Sequence, residues 1–149
     1  MTVNQSREHI IRLLTLLDQA HQIRRLLTRR TQHAAGITLE QAIVLCTIDQ
    51  EIGESTISQL AAHLSRTSHT ITRVVDIMER KGLVRRHRPQ AGDRRVVYVS
   101  MTPVGESTLR SFRQASFEII EPILAGIGEP ELERCLDLLI ENLSIISGH

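Results

Sequence analysis

Aromatic rings are almost missing from these 149 residues, which contain no tryptophan, one tyrosine (Tyr98) and two phenylalanines (Phe112 and Phe117). Single-stranded nucleic acid is usually held by bases stacked on aromatic platforms, so the scarcity disfavours that class of ligand. The interior must instead be leucine, isoleucine, valine and alanine, a set suited to helix packing. Cysteine is scarce too. Cys46 and Cys135 each sit in an apolar helical run, which is the pattern of reduced thiols and not of a disulfide framework. No apolar stretch approaches the roughly 20 residues of a membrane span. Met1–Glu8 is polar, without signal-peptide character. A cytoplasmic protein with no membrane partner is expected. There is also no phosphate-cradling glycine loop followed by lysine and no His-x-x-x-His pair. His9, His21, His33 and Cys46 have no spacing that supports a metal site, so neither cofactor nor metal is expected. A chain of this length can bury about 70% of its unfolded surface and needs no such staple to fold.

Charge is present, and unevenly placed. The formal net charge is only +1, but residues 63–95 hold nine cations against three acids. Residues 1–62 balance at zero, and residues 96–149 carry three cations against eight acids. One basic segment beside an acidic flank is the electrostatic footprint of a nucleic-acid partner, and a merely solvated charged face is the plainer alternative.

The basic segment has an internal order. Thr38 and Thr56 each stand three residues before a glutamine (Gln41, Gln59), a capping-box pattern that starts two helices. A polar turn, residues 65–68, separates the second of these from a further helix over about Ser68–Lys81, with Ile71, Val74, Val75 and Met78 inward. Gly82 supplies its left-handed end, and Arg80 and Lys81 suit the negative end of its dipole. Two short helices joined by a few polar residues make a helix-turn-helix. Two β-rich runs follow, Leu83–His87 and Val96–Met101, around a Pro/Gly loop whose base holds Asp93, Arg94 and Arg95. A helix and then a basic hairpin outline a winged helix-turn-helix that binds duplex DNA.

Long helices flank this unit. From Ser6 to about Arg30 apolar residues recur with a wide helical stripe, ended by Gly36. Thr102-Pro103 reads as N-cap and first residue of another helix running to about Leu124, which Pro122 is expected to bend or end. Gly126, Gly128 and Pro130 form a loop. A last helix carries Leu132, Leu136, Leu139, Leu143 and Ile146 alternately four and three residues apart. The first and last helices hold more apolar seam than a winged helix can cover, so dimerisation accounts for it best, with intramolecular packing the alternative. The expected organisation is an N-terminal dimerisation helix (1–36), a winged helix-turn-helix (37–102) and C-terminal dimerisation helices (103–149). The fold class is mainly α with a small β-hairpin wing.

On the helix from Ser68, the side opposite the apolar positions bears Ser68, His69, Thr72, Arg73, Asp76 and Arg80. The N-terminal part of such a helix reaches base edges. Arg73 can donate a bidentate pair to guanine, and Thr72 can offer a methyl to thymine or a hydroxyl to phosphate. Ser68, Thr70 and the first-turn amides suit phosphate. Arg66, Arg85, Arg86 and Arg88 are expected to neutralise the backbone. Arg73 could instead pair with Asp76, and His69 could be an exposed cap residue. A wing arginine, Arg95, can enter the minor groove. Asp93 then fixes the loop by accepting hydrogen bonds from Arg95, Arg94 or the turn amides.

Several pieces in one order resemble the multiple antibiotic resistance regulator (MarR) family. They are Thr38–Gln41 before an apolar helix, Leu60-Ala61, Thr72–Asp76 with Lys81–Val84 beyond, Asp93-Arg94-Arg95, and Met101–Gly105. Met101 stands where the family usually has leucine, a volume-conserving change. The resemblance implies an obligate homodimer built from the first and last helices. It further implies recognition helices in successive major grooves of a near-palindromic operator, and a repressor relieved by a small-molecule effector or by thiol oxidation. The family pocket lies between the dimerisation helices and the winged unit; scarce rings predict an aliphatic, polar-rimmed lining. An enzyme is not expected, because Ser68 and His69 are consecutive on one helix and their side chains diverge. A low-selectivity architectural DNA protein and a protein-interaction module on the same scaffold are the alternatives.

Overall fold

A computed structural model describes residues 3–51, 53–89 and 96–146. The expectations for Asp93, Arg94 and Arg95 therefore lie outside the described residues. The chain is mostly helical, with one small antiparallel sheet.

Helix α1 (Val3–Ala35) is longer at both ends than the stripe suggests, and Gly36 ends it at φ +67°. Its last turns persist because Thr31 is fully buried, its hydroxyl donating to the Leu27 carbonyl at 2.7 Å. Both anticipated capping boxes form. Thr38 opens α2 (Leu39–Gln50) with Gln41, and Thr56 opens α3 (Ile57–His63) with Gln59. Helix α4 (Ser68–Arg80) starts one residue after its cap, Thr67. Gly82 takes the left-handed conformation (φ +69°) that turns the chain into the sheet, a geometry side chains resist.

The sheet holds one strand more than a hairpin. β1 (Glu54–Thr56) pairs with β3 (Tyr98–Met101), which pairs with β2 (Val84–His87), giving the order β1-β3-β2. Arg86 lies opposite Val99, and Glu54 opposite Ser100. Three residues cannot announce themselves as a strand by alternation; β1 exists because β3 offers a free edge.

Thr102 and Pro103 begin α5 (Pro103–Leu124) as cap and first residue. The Thr102 hydroxyl also reaches the Gly82 and Leu83 carbonyls at 2.6 and 3.1 Å, stitching the start of α5 to the end of α4. Gly105 is required by close approach, since an added Cβ would run into the Leu83 carbonyl oxygen. Pro122 does not end α5, which continues two residues past it. Pro130 is not in a loop either; it occupies the first turn of α6 (Glu129–Ile146), where no amide partner is lost.

The core is aliphatic. Val44, Leu45 and Ile48 of α2 meet Leu60, Ile71, Val75 and Met78 of the two following helices, Val84 and Val99 of the sheet, and Leu109 and Phe112 of α5. Outside this body the apolar surface is open. Ile10, Ile11, Leu14 and Leu17 of α1 are 55–65% exposed, and Leu136 and Leu139 of α6 are about half exposed. Among the described residues no helix is long and apolar enough to cross a membrane.

Candidate nucleic-acid interface

Helix α4 is held by its inner side and bare on its outer one. Ile71, Val75 and Met78 are fully buried, while Ser68, His69 and Arg73 are exposed. Ser65 makes the turn from α3 in a left-handed conformation (φ +48°), aiming the start of α4 outward. The Thr67 hydroxyl then accepts the Thr70 amide at 3.2 Å and lies 3.0 Å from the Thr70 hydroxyl. Thr70 is half-buried, and its amide and hydroxyl both take part in the cap. Thr72, also half-buried, donates its hydroxyl to the Ser68 carbonyl at 2.7 Å, leaving its oxygen lone pairs and methyl for a ligand. Arg73 has no hydrogen-bond or ion-pair partner among the described residues, and Asp76 does not hold it. Arg66 is exposed at the turn before α4, and Arg88 is exposed where β2 leaves the sheet.

Arg86 is engaged within the fold. Its side chain is only 25% exposed and its guanidinium lies 2.7 Å from both Asp76 and Glu79 of α4. It also donates to the Thr72 carbonyl at 3.4 Å, and its own amide donates to Glu79 at 3.1 Å. A guanidinium so occupied has little left for a phosphate. Arg85 turns the other way and donates through Nε to the Ser100 hydroxyl at 3.2 Å. Lys81 leaves the end of α4 to donate to the Gly36 carbonyl at 3.0 Å, with Gln41 Oε1 at 3.4 Å.

The base of the wing has its own polar knot. His87 stacks on Tyr98, places Nε2 3.0 Å from Glu54 Oε2, and has Nδ1 3.5 Å from the Ser100 hydroxyl. This ties β1 to β2 across β3. From the sequence, Thr67 was read only as part of a polar turn and Lys81 only as a charge at the helix end, while Glu54 and Glu79 were given no structural role. Thr67, three residues before Thr70, could have been found as a cap; the others act across elements and left no local signal.

Two of the cavities that border the helices lie between elements. One of about 440 Å³ lies among α1, α2 and the α3–α4 turn, with an aliphatic floor (Leu39, Ile43, Leu64, Ile71) and a polar rim of Arg24, Glu40 and Arg66. The other, about 790 Å³, is an open groove between α1 and α5 lined by Arg29, Arg30, His33, Arg110 and Glu118 among others. Cys46 is half-buried, and burial pushes its thiol above the ordinary range; the Arg113 guanidinium pulls in the opposite direction, less strongly. Arg113 itself is anchored by Asp49 at 2.7 Å. Cys135 is exposed on α6. Among the described residues no group of His, Cys, Asp and Glu is placed to hold a metal ion.

Two helices joined by a tight turn, the second bearing a bare cationic outer face, and a sheet that carries a wing beside it define a winged helix-turn-helix. Comparison with known proteins narrows this further. The MarR family model matches residues 37–97, the whole of the winged unit up to β3. The HTH-type transcriptional repressor IacR of Pseudomonas putida is 31% identical over 99 residues. That match covers 64% of this chain, and this chain spans only 59% of the length of that relative. A MepR-like protein complexed with pseudoligands superposes with a TM-score of 0.76 at 26% identity, over 94% of this chain and 97% of that one. A mutant MarR from E. coli complexed with operator DNA gives 0.70 at 25%, over 96% and 99%. The winged unit thus matches the MarR family model, and the chain is similar in fold to solved regulators of that kind over most of its length.

Proposed function

We propose that this protein is a dimeric, sequence-specific transcription repressor that reads a near-palindromic duplex operator and is released by a small molecule. The observation that carries the reading is the outer face of α4, where Ser68, His69 and Arg73 stand exposed on a helix whose other side is buried. Arg73 reads a base edge, and Ser68 and the first-turn amides meet phosphate, with Arg66 and Arg88 beside them. Arg94 and Arg95 of the wing complete the cationic surface, Arg95 in the minor groove, and Asp93 fixes their loop. The relative from P. putida is a transcriptional repressor, and a similar solved protein was complexed with operator DNA.

Dimerisation is supported by the open apolar faces of α1 and α6, which water does not tolerate over so long a seam. Residues 1–36 and 103–149 serve this purpose, and residues 37–102 serve DNA. An effector fits the 440 Å³ cavity, whose polar rim includes Arg66. Oxidation of Cys46 is the weaker release mechanism, because burial disfavours its thiolate. The role is one of binding and not of catalysis, carried out in the cytoplasm. Ser68, His69 and Asp76 do not converge, and the Asp76 carboxylate is taken by Arg86.

The test is selection of bound duplexes from a random pool at near-physiological salt, with Arg73→Ala in parallel. A motif with half-sites about 10 bp apart is expected. Arg73→Ala should relax one position of it, at a cost of about 1–3 kcal/mol. Binding without a motif would establish the architectural alternative. No binding by a folded dimer purified free of ligand would sink the DNA reading.

A further inference from the structure

Arg86 contacts α4 at three points, the carbonyl of Thr72 and the carboxylates of Asp76 and Glu79. Positions 72, 76 and 79 follow the four-then-three spacing that makes one stripe along a helix. The Glu79 carboxylate is used twice, Oε2 on the guanidinium and Oε1 on the Arg86 amide, so strand and helix are joined through main chain as well as side chain. In the sheet Arg86 faces Val99, and two residues beyond it the chain leaves β2 for the wing. The stripe that Arg86 occupies runs alongside Arg73, a bare cation of the same helix.

Isolated surface ion pairs contribute little, because two long side chains lose freedom for a screened attraction. Here one planar fork meets two carboxylates and a carbonyl while three-quarters covered, and its orientation is over-determined. The fork also neutralises acids that would otherwise repel phosphate from the reading face. We infer that Arg86 is a positioning residue for operator recognition: it sets the angle between recognition helix and wing and does not itself meet DNA. The inference depends on the duplex-binding reading above, but part of its test does not.

The experiment compares wild type, Arg86→Gln, Arg86→Lys and Arg88→Ala as full-length chains. Operator and unrelated duplex are titrated over a range of salt, and amide hydrogen exchange is followed in the free protein. Arg86→Gln is expected to lower the ratio of operator to unrelated affinity at least tenfold. Its salt slope on operator should stay unchanged, and residues 84–87 and 98–101 should exchange faster while α2 does not. Arg86→Lys, which keeps charge but loses the fork, should fall between the two. Arg88→Ala should weaken all duplexes alike and reduce the slope by about one, as loss of a phosphate contact does. The idea fails if Arg86→Gln behaves like Arg88→Ala, which would make it a phosphate ligand. It fails equally if the variant merely melts earlier with ratio and exchange unchanged. Should the wild type ignore every duplex, the repressor reading falls, and the exchange data alone decide whether Arg86 orients the wing.

Discussion

The winged body and the long helices around it solve opposite problems. Between Ile37 and Phe112 every described element has an inner side, and among the described residues all the buried apolar ones lie there. The first half of α1 and the described part of α6 have none, although they are equally rich in leucine and isoleucine. One region is finished by its own chain. The other leaves its apolar face open in the single chain. The contrast teaches that apolar periodicity reports a helix with a face, and only the count of available partners reports whether that face is closed within the chain.

Interfering with each region should separate them. The largest effect belongs to the body: Leu45→Ala or Ile71→Ala, both at fully buried positions, should cost about 2–5 kcal/mol in a denaturant titration. Charge placed on the seam acts differently. Leu14→Asp should leave the helix content of the body intact by circular dichroism and convert dimer to monomer by sedimentation, with operator affinity down by at least the roughly hundredfold gain that joining two half-sites supplies. A stable dimer in that variant would contradict the division drawn above. Smaller is the stitch between α4 and α5. Thr102→Ala removes a cap and two further hydrogen bonds and should cost about 1–2 kcal/mol.

The smallest effect concerns Cys46. Burial raises its pKa in the folded protein, so folding favours the protonated thiol. Its contribution to stability is therefore full below the unfolded-state pKa and lost as pH rises through the folded one. Alkylation of Cys46 should show a pH midpoint above the roughly 8.5 of a free thiol, while Arg113→Gln should slow the reaction further by removing the opposing charge. A midpoint below that of free cysteine would revive thiol oxidation as the release mechanism.

How much could be read in advance follows from the range of each interaction. The caps were legible because Thr38 with Gln41, Thr56 with Gln59, and Thr102 with Pro103 act within four residues. The left-handed exit at Gly82 and the bare face of α4 were legible for the same reason. The strand Glu54–Thr56 was not, since its only justification is an edge more than 40 residues away. The contacts of Arg86 were not legible, because a basic residue in a basic hairpin looks free until the strand turns it toward Asp76 and Glu79. The alternative considered for Arg73, pairing with Asp76, fails for the complementary reason, since Arg86 already holds that carboxylate. Pro130 was read as part of a loop, yet it sits in the first turn of α6, where its missing amide has no helical partner to lose; Pro122 was expected to bend or end α5 and lies inside it, two residues before its end.

One join described above also has a mechanical meaning. The Lys81 ammonium at the end of α4 grips the carbonyl of Gly36, the residue on which α1 ends. Helix α1 is a rod of 33 residues, about 50 Å at 1.5 Å per residue. Pivoted at Gly36, such a rod turns a tilt of about 6° into roughly 5 Å of travel at its far end, comparable to one helical turn. Read in the other direction, the far end is a long handle on a short jaw: wherever two such rods are clamped together, their angle fixes how far apart the two α4 helices stand.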